Sequence, residues 1–226
     1  MFGATGMVGQ GVLRECLRAA DVAQVLVIGR TPTGVQHSKL REIIHPDLFD
    51  TGDMDHEMQG FDACFYCLGV ASFSMTEADY TRITYDLTMA VAQRLSRLNP
   101  QMTFVYVTGG GTDSSEQGRT MWARVKGRTE NALMRLPFKG VYLFRPGAIQ
   151  ALHGARSKTG AYRCFYTLAS PLLAVGHKLA PRWVLTTEVV GLAMLAVARH
   201  GAPKPVLESP DINAAAENAA ARDRVT

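Results

Sequence analysis

Short, continuous apolar runs alternate along this chain with segments whose apolar residues recur every three to four positions. The first pattern is typical of a strand buried on both faces of a parallel sheet, and the second of an amphipathic helix. The predicted strands are residues 25–28, 42–44, 61–68, 102–108 and 140–144, and the predicted helices are residues 8–17, 77–98, 121–135 and 187–199. This alternation predicts an α/β fold with a doubly wound parallel sheet.

A glycine-spaced segment stands at the start of the chain, before the first predicted helix. It comprises Gly3, Ala4, Thr5, Gly6, Met7, Val8 and Gly9. In a Rossmann-type domain such a turn leads from a strand into a helix, whose N-terminal N–H groups hold the pyrophosphate of a dinucleotide. We therefore predict a Rossmann-type sheet whose dinucleotide contacts are Gly3, Thr5, Gly6, Met7, Val8 and Gly9.

The strand that normally precedes this turn is short. Only Met1 and Phe2 stand before Gly3, whereas a strand takes about five residues. We therefore predict a first strand that is truncated or missing. In the usual strand order 3-2-1-4-5-6 this strand is central, and its loss would leave backbone groups on both neighbours unpaired. For this reason we expect the working protein to begin several residues upstream.

The residues at the ends of the later strands indicate which coenzyme is bound. Arg30 follows the second strand, at the position where NAD-selective sites carry an acidic residue for the ribose 2′-hydroxyl. A guanidinium fork suits a 2′-phosphate instead, which favours NADP and leaves NAD open. Cys67, Leu68 and Gly69 end another predicted strand, where we expect them to border the adenosine half of the coenzyme.

Several segments together resemble a known family. They are the glycine turn at 3–9, Gly29-Arg30, Cys67-Leu68-Gly69, Val125-Lys126-Gly127 and Phe144-Arg145-Pro146-Gly147. The chain resembles an atypical branch of the short-chain dehydrogenase/reductase superfamily, and is similar to its NAD-dependent epimerase/dehydratase-like and Tat-interacting-protein-like members. The likeness covers most of residues 1–200. It implies an NAD(P)-binding Rossmann domain, with Arg145, Pro146 and Gly147 lining the nicotinamide end.

The resemblance also implies roles for three residues near the nicotinamide. Lys126 matches the lysine that holds the nicotinamide ribose and lowers the pKa of a catalytic tyrosine four residues before it. Trp122 stands at the position of that tyrosine, and an indole N–H is not a usable acid near neutral pH. Thr108 falls near the family's serine, where it could orient a carbonyl, and Ser114 and Ser115 are substitutes on the same loop.

Two interpretations of Trp122 remain open. Its ring could stack on substrate or nicotinamide while Tyr80, Tyr85 or water supplies the proton. Alternatively, the site binds coenzyme without turning it over. The sequence therefore predicts an NADP(H)-binding oxidoreductase acting by hydride transfer on a small carbonyl compound or alcohol. The alternative is a non-catalytic NAD(P)H sensor or regulatory protein, one that could associate with a membrane surface.

Length, charge and cysteine content complete the predictions. The 226 residues suit one Rossmann domain over 1–200, with a substrate lobe at 147–184 and a tail at 201–226. Residues 131–187 carry eight Lys or Arg and no Asp or Glu, which suits an anionic substrate, a membrane surface or a solubilising rim. Four cysteines and no visible signal peptide predict a cytoplasmic protein. The histidines show no metal-binding spacing, and we expect no nucleic-acid partner.

Overall fold

Strands and helices alternate through the part of the chain that a computed structural model describes, residues 1–50, 52–155 and 183–222. The strands are β1 (Val25–Gly29), β2 (Leu40–Ile44), β3 (Ala63–Tyr66), β4 (Thr103–Val107), β5 (Gly140–Arg145), β6 (Ala148–Gln150), β7 (Val184–Thr186) and β8 (Val206–Glu208). The helices are α1 (Met7–Arg18), α2 (Glu77–Thr81), α3 (Leu87–Leu98), α4 (Met121–Leu133), α5 (Thr187–His200) and α6 (Ser209–Arg222). A π-helical turn at Arg82–Asp86 divides the predicted helix 77–98 into α2 and α3.

The main sheet is parallel and has the order β2-β1-β3-β4-β5-β8, with Phe2 between β1 and β3. Val27 lies opposite Glu42 in the first pair of strands, and Val105 lies opposite Tyr142 nearer the other edge. The two halves of the sheet wind in opposite directions from its centre, which confirms the predicted doubly wound fold.

The first strand of the fold is reduced to a stub at Phe2. This residue forms isolated parallel bridges to Ile28 of β1 and Tyr66 of β3. Its N–H donates to the Phe65 carbonyl over 3.0 Å, and its carbonyl accepts from the Cys67 N–H over 2.9 Å. The Phe2 side chain is only 2% exposed. In this chain Phe2 therefore occupies the place of the central strand, and the two halves of the sheet are joined through this stub.

A cleft of about 500 Å³ lies between the amino ends of β1 and β3, on the side of Phe2 away from the glycine turn. The Met1 ammonium group donates to the Leu26 carbonyl over 2.7 Å beside it. Successive residues of a strand point their backbone N–H and C=O groups to opposite sides of the strand. The N–H groups of Leu26 and Phe65 therefore point into this cleft. Apolar side chains from both faces of the sheet line it, among them Cys16, Met58, Leu95, Met102 and Leu195.

Helices cover both faces of the sheet, because successive strand side chains point to opposite sides. One buried cluster joins a sheet face to α1, α5 and α6, and its sheet residues include Val27, Phe65, Val105 and Phe144. The other joins the opposite face to α3 and α4, and its sheet residues include Leu26, Tyr66, Phe104 and Leu143. The fold therefore has three layers, with the sheet in the middle.

The C-terminal region contributes to the fold beyond what its sequence pattern predicts. Residues 201–226 are predicted as a tail, whereas β8 extends the sheet and α6 packs on it through Ile212, which is fully buried. Most of the predicted substrate lobe, residues 156–182, lies outside the described residues. The chain on either side of that segment forms β6 and β7, which pair in parallel as a separate two-stranded sheet.

A tight contact between α4 and the loop after β4 gives a prediction about stability. A β carbon at Gly127 would overlap the Asp113 carbonyl oxygen. We expect Gly127→Ala to lower the free energy of unfolding by about 3 kcal/mol, because loop and helix must move apart. Chemical denaturation measures this effect. Gly69→Ala is the matched control, since a β carbon there meets nothing within 4 Å, and equal losses in the two variants would contradict the prediction.

Candidate functional site

The predicted site residues converge on one edge of the sheet. The glycine turn follows Phe2, Arg30 follows β1, Cys67 to Gly69 follow β3, Thr108 follows β4, and Pro146 and Gly147 follow β5. All of these strands are parallel, so their carboxyl ends lie together. This edge is where open α/β sheets bind ligands.

The glycine turn is packed so closely that two of its glycines, Gly3 and Gly9, cannot be replaced without movement. Gly3 has a φ of +76°, and a β carbon there would overlap the backbone of Cys67 and Leu68. A β carbon on Gly9 would overlap the Gly3 carbonyl. The Gly6 N–H donates to the Gly3 carbonyl over 3.0 Å. The turn thus brings the amino end of α1 close to the carboxyl end of β3.

The amino end of α1 is suited to an anion. Its N-cap is Gly6, which provides no side-chain cap, and its first turn contains no acidic residue. By contrast, α2 and α5 begin with threonine caps and carry acidic residues in their first turns. The N–H groups of a first helical turn have no partner within the helix. Those of Met7, Val8 and Gly9 can therefore bind phosphate oxygens, helped by the helix dipole.

Arg30 is exposed beside the end of β1. Within the described part of the chain, no ion pair of Arg30 with a carboxylate is found. Glu42 of the neighbouring strand instead accepts the Thr33 N–H over 2.8 Å. The Arg30 guanidinium is therefore available to an anionic ligand that lies across the end of β1.

Lys126 reaches the carboxyl end of β4 from α4. Its Nζ donates to the Thr108 carbonyl over 2.6 Å. Burial lowers the pKa of this lysine to about 8, and the negative charge of Glu130 opposes the shift. The ammonium form therefore predominates below about pH 8, and its remaining donors are available to ligand hydroxyls.

The hydroxyl group of Thr108 faces into the protein. It donates to Glu130 over 2.6 Å, and Glu130 in turn accepts from the Arg145 guanidinium. A hydroxyl carries one proton, so Thr108 has none left to donate to a substrate carbonyl in this arrangement. Its position beside Lys126 follows the sequence prediction, but the structure gives its side chain a different partner.

Trp122 stands one helical turn before Lys126 on α4 and is half-buried. Its ring edge lies 3.6 Å from the position that a β carbon on Gly111 would occupy. Gly110 of the same loop lies against Gly147, at the end of β5. The indole therefore borders the glycine loop after β4, at the carboxyl end of the sheet.

The other predicted proton donors are engaged elsewhere. Tyr80 is 1% exposed, and the Tyr85 ring lies under the Arg128 guanidinium at 4.1 Å. The Ser114 hydroxyl accepts from Arg145 over 2.6 Å, and the Ser115 hydroxyl donates to Asp113 over 2.6 Å. These contacts favour packing and loop-forming roles for the four residues.

The structure also reveals a partner that sequence reasoning missed. Glu130 is 1% exposed and links Thr108 to Arg145 next to the predicted lysine. The sequence does contain a signal for this residue. Glu130 follows Lys126 by four positions, which places both side chains on one face of a helix. An apolar helix face that contains a carboxylate requires a buried cation or donor nearby.

Comparisons with known proteins identify the family and the fold of this chain. The model of the NAD dependent epimerase/dehydratase family matches residues 1–117. Protein FMP52, mitochondrial, of Meyerozyma guilliermondii is 23% identical over 159 residues, which are 68% of this chain and 67% of that protein. Protein HTATIP2 of Rattus norvegicus is 25% identical over 152 residues, 66% of this chain and 61% of that protein. The matched part thus spans about two thirds of these relatives or less.

Solved structures show the same fold. The Bordetella bronchiseptica enzyme WbmF in complex with NAD+ has a TM-score of 0.66 at 15% identity, over 96% of this chain and 76% of that chain. DesIV, a dTDP-glucose 4,6-dehydratase from Streptomyces venezuelae with NAD bound, has a TM-score of 0.67 at 16% identity, over 92% and 73%. The Rossmann-type fold and the family resemblance predicted from the sequence are confirmed.

The predicted cytoplasmic location is corrected by these comparisons. Relatives from Meyerozyma guilliermondii, Scheffersomyces stipitis and Aspergillus terreus are all named as mitochondrial proteins. The cysteine content, on which the prediction depended, does not distinguish the cytoplasm from a mitochondrial location. No helix in the described ranges is long and apolar enough to cross a bilayer. Five of the eight basic residues in the segment 131–187 lie outside those ranges, namely Arg156, Lys158, Arg163, Lys178 and Arg182.

Proposed function

Because this chain belongs to the NAD dependent epimerase/dehydratase family, we propose that it binds NADP(H) and transfers hydride to or from a small carbonyl compound or alcohol. The observation that carries the proposal is the glycine turn, where Gly3 and Gly9 permit close backbone packing and α1 begins without a side-chain cap. A pyrophosphate fits this combination of close approach and unpaired N–H groups. The coenzyme itself would supply the hydride donor or acceptor.

The residues of this chain bind and orient the reactants. The first turn of α1 holds the pyrophosphate, and Arg30 pairs with the 2′-phosphate through its planar fork. Leu68 and Gly69 border the adenosine half. Lys126, held by the Thr108 carbonyl, donates hydrogen bonds to the nicotinamide ribose. Trp122 covers one side of the substrate region, and the proton at the substrate oxygen comes from water.

A second candidate function is coenzyme sensing without turnover. The observation that favours it is the combination of Trp122 at the tyrosine position with a Thr108 hydroxyl that faces Glu130. Neither group can protonate a substrate oxygen in this arrangement. The two candidates share the coenzyme site and differ in turnover, so oxidation of NADPH in the presence of aldehydes and ketones separates them.

Thermal unfolding with NADPH, with NADH and with neither tests the coenzyme site. A ligand that binds only the folded protein at 100 times its Kd stabilises it by about 2.7 kcal/mol. For a chain of this size, we expect NADPH to raise Tm by about 5–10 °C. A correctly folded sample whose Tm responds to neither coenzyme would show that the proposed function is wrong.

Arg30→Ala tests the preference between the two coenzymes. We expect it to weaken NADPH binding by about 10- to 100-fold, because charged hydrogen bonds to the 2′-phosphate are lost, and to leave NADH binding unchanged. Calorimetric titration measures both affinities. Arg18→Ala, an exposed arginine at the far end of α1, is the matched control and should alter neither. A parallel loss of both affinities in Arg30→Ala would contradict a role in selecting NADP.

A further inference from the structure

We propose that Glu130 is a positioning residue of the proposed coenzyme site. Anchored by Arg145, its carboxylate holds Thr108 and, through the Thr108 carbonyl, the ammonium group of Lys126. This inference rests on the proposed function for its role in coenzyme binding. The geometry that supports it is independent of any ligand.

The carboxylate of Glu130 is fixed from two sides. Its Oε1 accepts the Thr108 hydroxyl over 2.6 Å, and both of its oxygens accept from the Arg145 Nε over 3.1 Å. Arg145 Nη2 also donates to it. A carboxylate that is 1% exposed needs such partners, because an unpaired buried charge is strongly destabilising. Glu130 therefore occupies one defined position inside the protein.

Thr108 transmits this position to Lys126. Its hydroxyl lies 2.6 Å from Glu130, with the Phe144 carbonyl at 3.1 Å as a second acceptor, and its backbone carbonyl accepts from the Lys126 Nζ over 2.6 Å. Glu130 and Lys126 are also one helical turn apart on α4. The ammonium group is thus oriented from two directions, by its own helix and by the end of β4. Fixing Thr108 therefore fixes where Lys126 presents its remaining donors.

The charges around Lys126 give Glu130 a second effect. Arg145 of β5 is the cation bound to Glu130, and it also approaches Glu208 of β8 at 3.6 Å. Asp113, on the loop that contacts Gly127, is occupied by donors of its own loop, Ser115 and Gly118. Glu130 is the charge that favours the ammonium form of Lys126. Removing that charge should make the lysine lose its proton at a lower pH.

Glu130→Gln is the direct test, because glutamine keeps an acceptor for Thr108 but carries no charge. We expect NADPH affinity in the wild type to fall as the pH rises through about 8, where Lys126 loses its charge. In Glu130→Gln the pH at which the NADPH affinity has fallen halfway, its pH midpoint, should be lower by about one pH unit. Calorimetric titration of NADPH between pH 6 and pH 9 measures it. An unchanged midpoint in a folded variant would overturn the proposal.

Two further variants separate positioning from general stability. Thr108→Val removes the hydroxyl contact and keeps both charges, so NADPH affinity should fall by about tenfold with no change in the pH midpoint. Glu208→Gln removes a half-exposed carboxylate on the other side of Arg145. It should change neither the NADPH affinity nor the pH midpoint of that affinity. If Glu130→Gln does not fold, Thr108→Val decides: an unchanged NADPH affinity overturns the proposal, and a tenfold loss at an unchanged Tm supports it.

An NMR titration without coenzyme keeps this proposal distinct from the proposed function. The chain has six lysines, so the ¹³Cε signal of Lys126 can be assigned by its loss in Lys126→Met. Its titration midpoint should be lower in Glu130→Gln than in the wild type and unchanged in Glu208→Gln. A lowered midpoint in a protein that binds no NADPH would support the positioning contact while refuting the coenzyme function. Equal midpoints would refute the contact itself.

Discussion

Replacing Trp122 with tyrosine is expected to raise the rate of carbonyl reduction by about 100-fold or more. The position lies one helical turn before Lys126 and beside the glycine loop after β4. A phenol there would stand near an ammonium group that stabilises its ionised form, which lowers its pKa toward neutrality. A positioned general acid contributes about 10²- to 10⁴-fold to a rate, and the indole of the wild type contributes none. Steady-state oxidation of NADPH with a panel of aldehydes and ketones measures the gain.

Two controls assign that gain to the phenolic hydroxyl. Trp122→Phe opens the same space and supplies an aromatic ring with no proton to donate, so its rate should stay near that of the wild type. Adding Lys126→Met to Trp122→Tyr should remove most of the gain, because the phenol then loses the neighbouring cation. Equal rates for Trp122→Tyr and Trp122→Phe would contradict the prediction and assign any change to access alone.

An apolar segment fused before Met1 is expected to stabilise the protein by about 3 kcal/mol. The cleft between β1 and β3 is lined by apolar side chains from both faces of the sheet. Four residues such as Val-Ile-Val-Ile could continue the stub at Phe2 and pair with backbone groups at Leu26 and Phe65. Each buried side chain contributes about 1.5–3 kcal/mol, and ordering each residue costs about 1–2 kcal/mol. For a chain of this size, Tm should rise by about 6–12 °C.

A Gly-Ser-Gly-Ser extension of equal length is the matched control. Both extensions remove the terminal ammonium group from its contact with the Leu26 carbonyl, so this loss cancels in the comparison. The flexible segment offers no apolar side chains and should leave Tm close to that of the parent chain. Equal Tm values for the two extended proteins would show that the cleft does not accept a strand.

The elements that the sequence predicts well are those with strong apolar periodicity. The continuous run at β1 and the periodic helices α1 and α4 are found where the pattern places them. β8 is missed because a three-residue strand with one buried side chain, Leu207, has no recognisable period. The π-helical turn at Arg82–Asp86 is missed because its apolar pattern continues that of an ordinary helix.

The candidate site divides in a similar way. The glycine turn and the lysine are recognisable because their roles depend on local spacing along the chain. The contact between Glu130 and Arg145 joins residues 15 positions apart, and it exists only because α4 packs across β5. Likewise, the direction of the Thr108 hydroxyl depends on a carboxylate that the sequence alone does not place. The spacing of motif residues along the chain predicts where the functional residues lie. Tertiary packing determines which of their hydrogen-bonding atoms remain free to bind a ligand.

The stub at Phe2 has a thermodynamic consequence for ligand binding. One residue bridges both halves of the sheet and is followed directly by Gly3 of the glycine turn. Any ligand that clamps this turn must therefore also restrain the join between β1 and β3. Binding energy at the turn then adds to the stability of the whole sheet, so a ligand at the turn should raise the cost of separating its two halves.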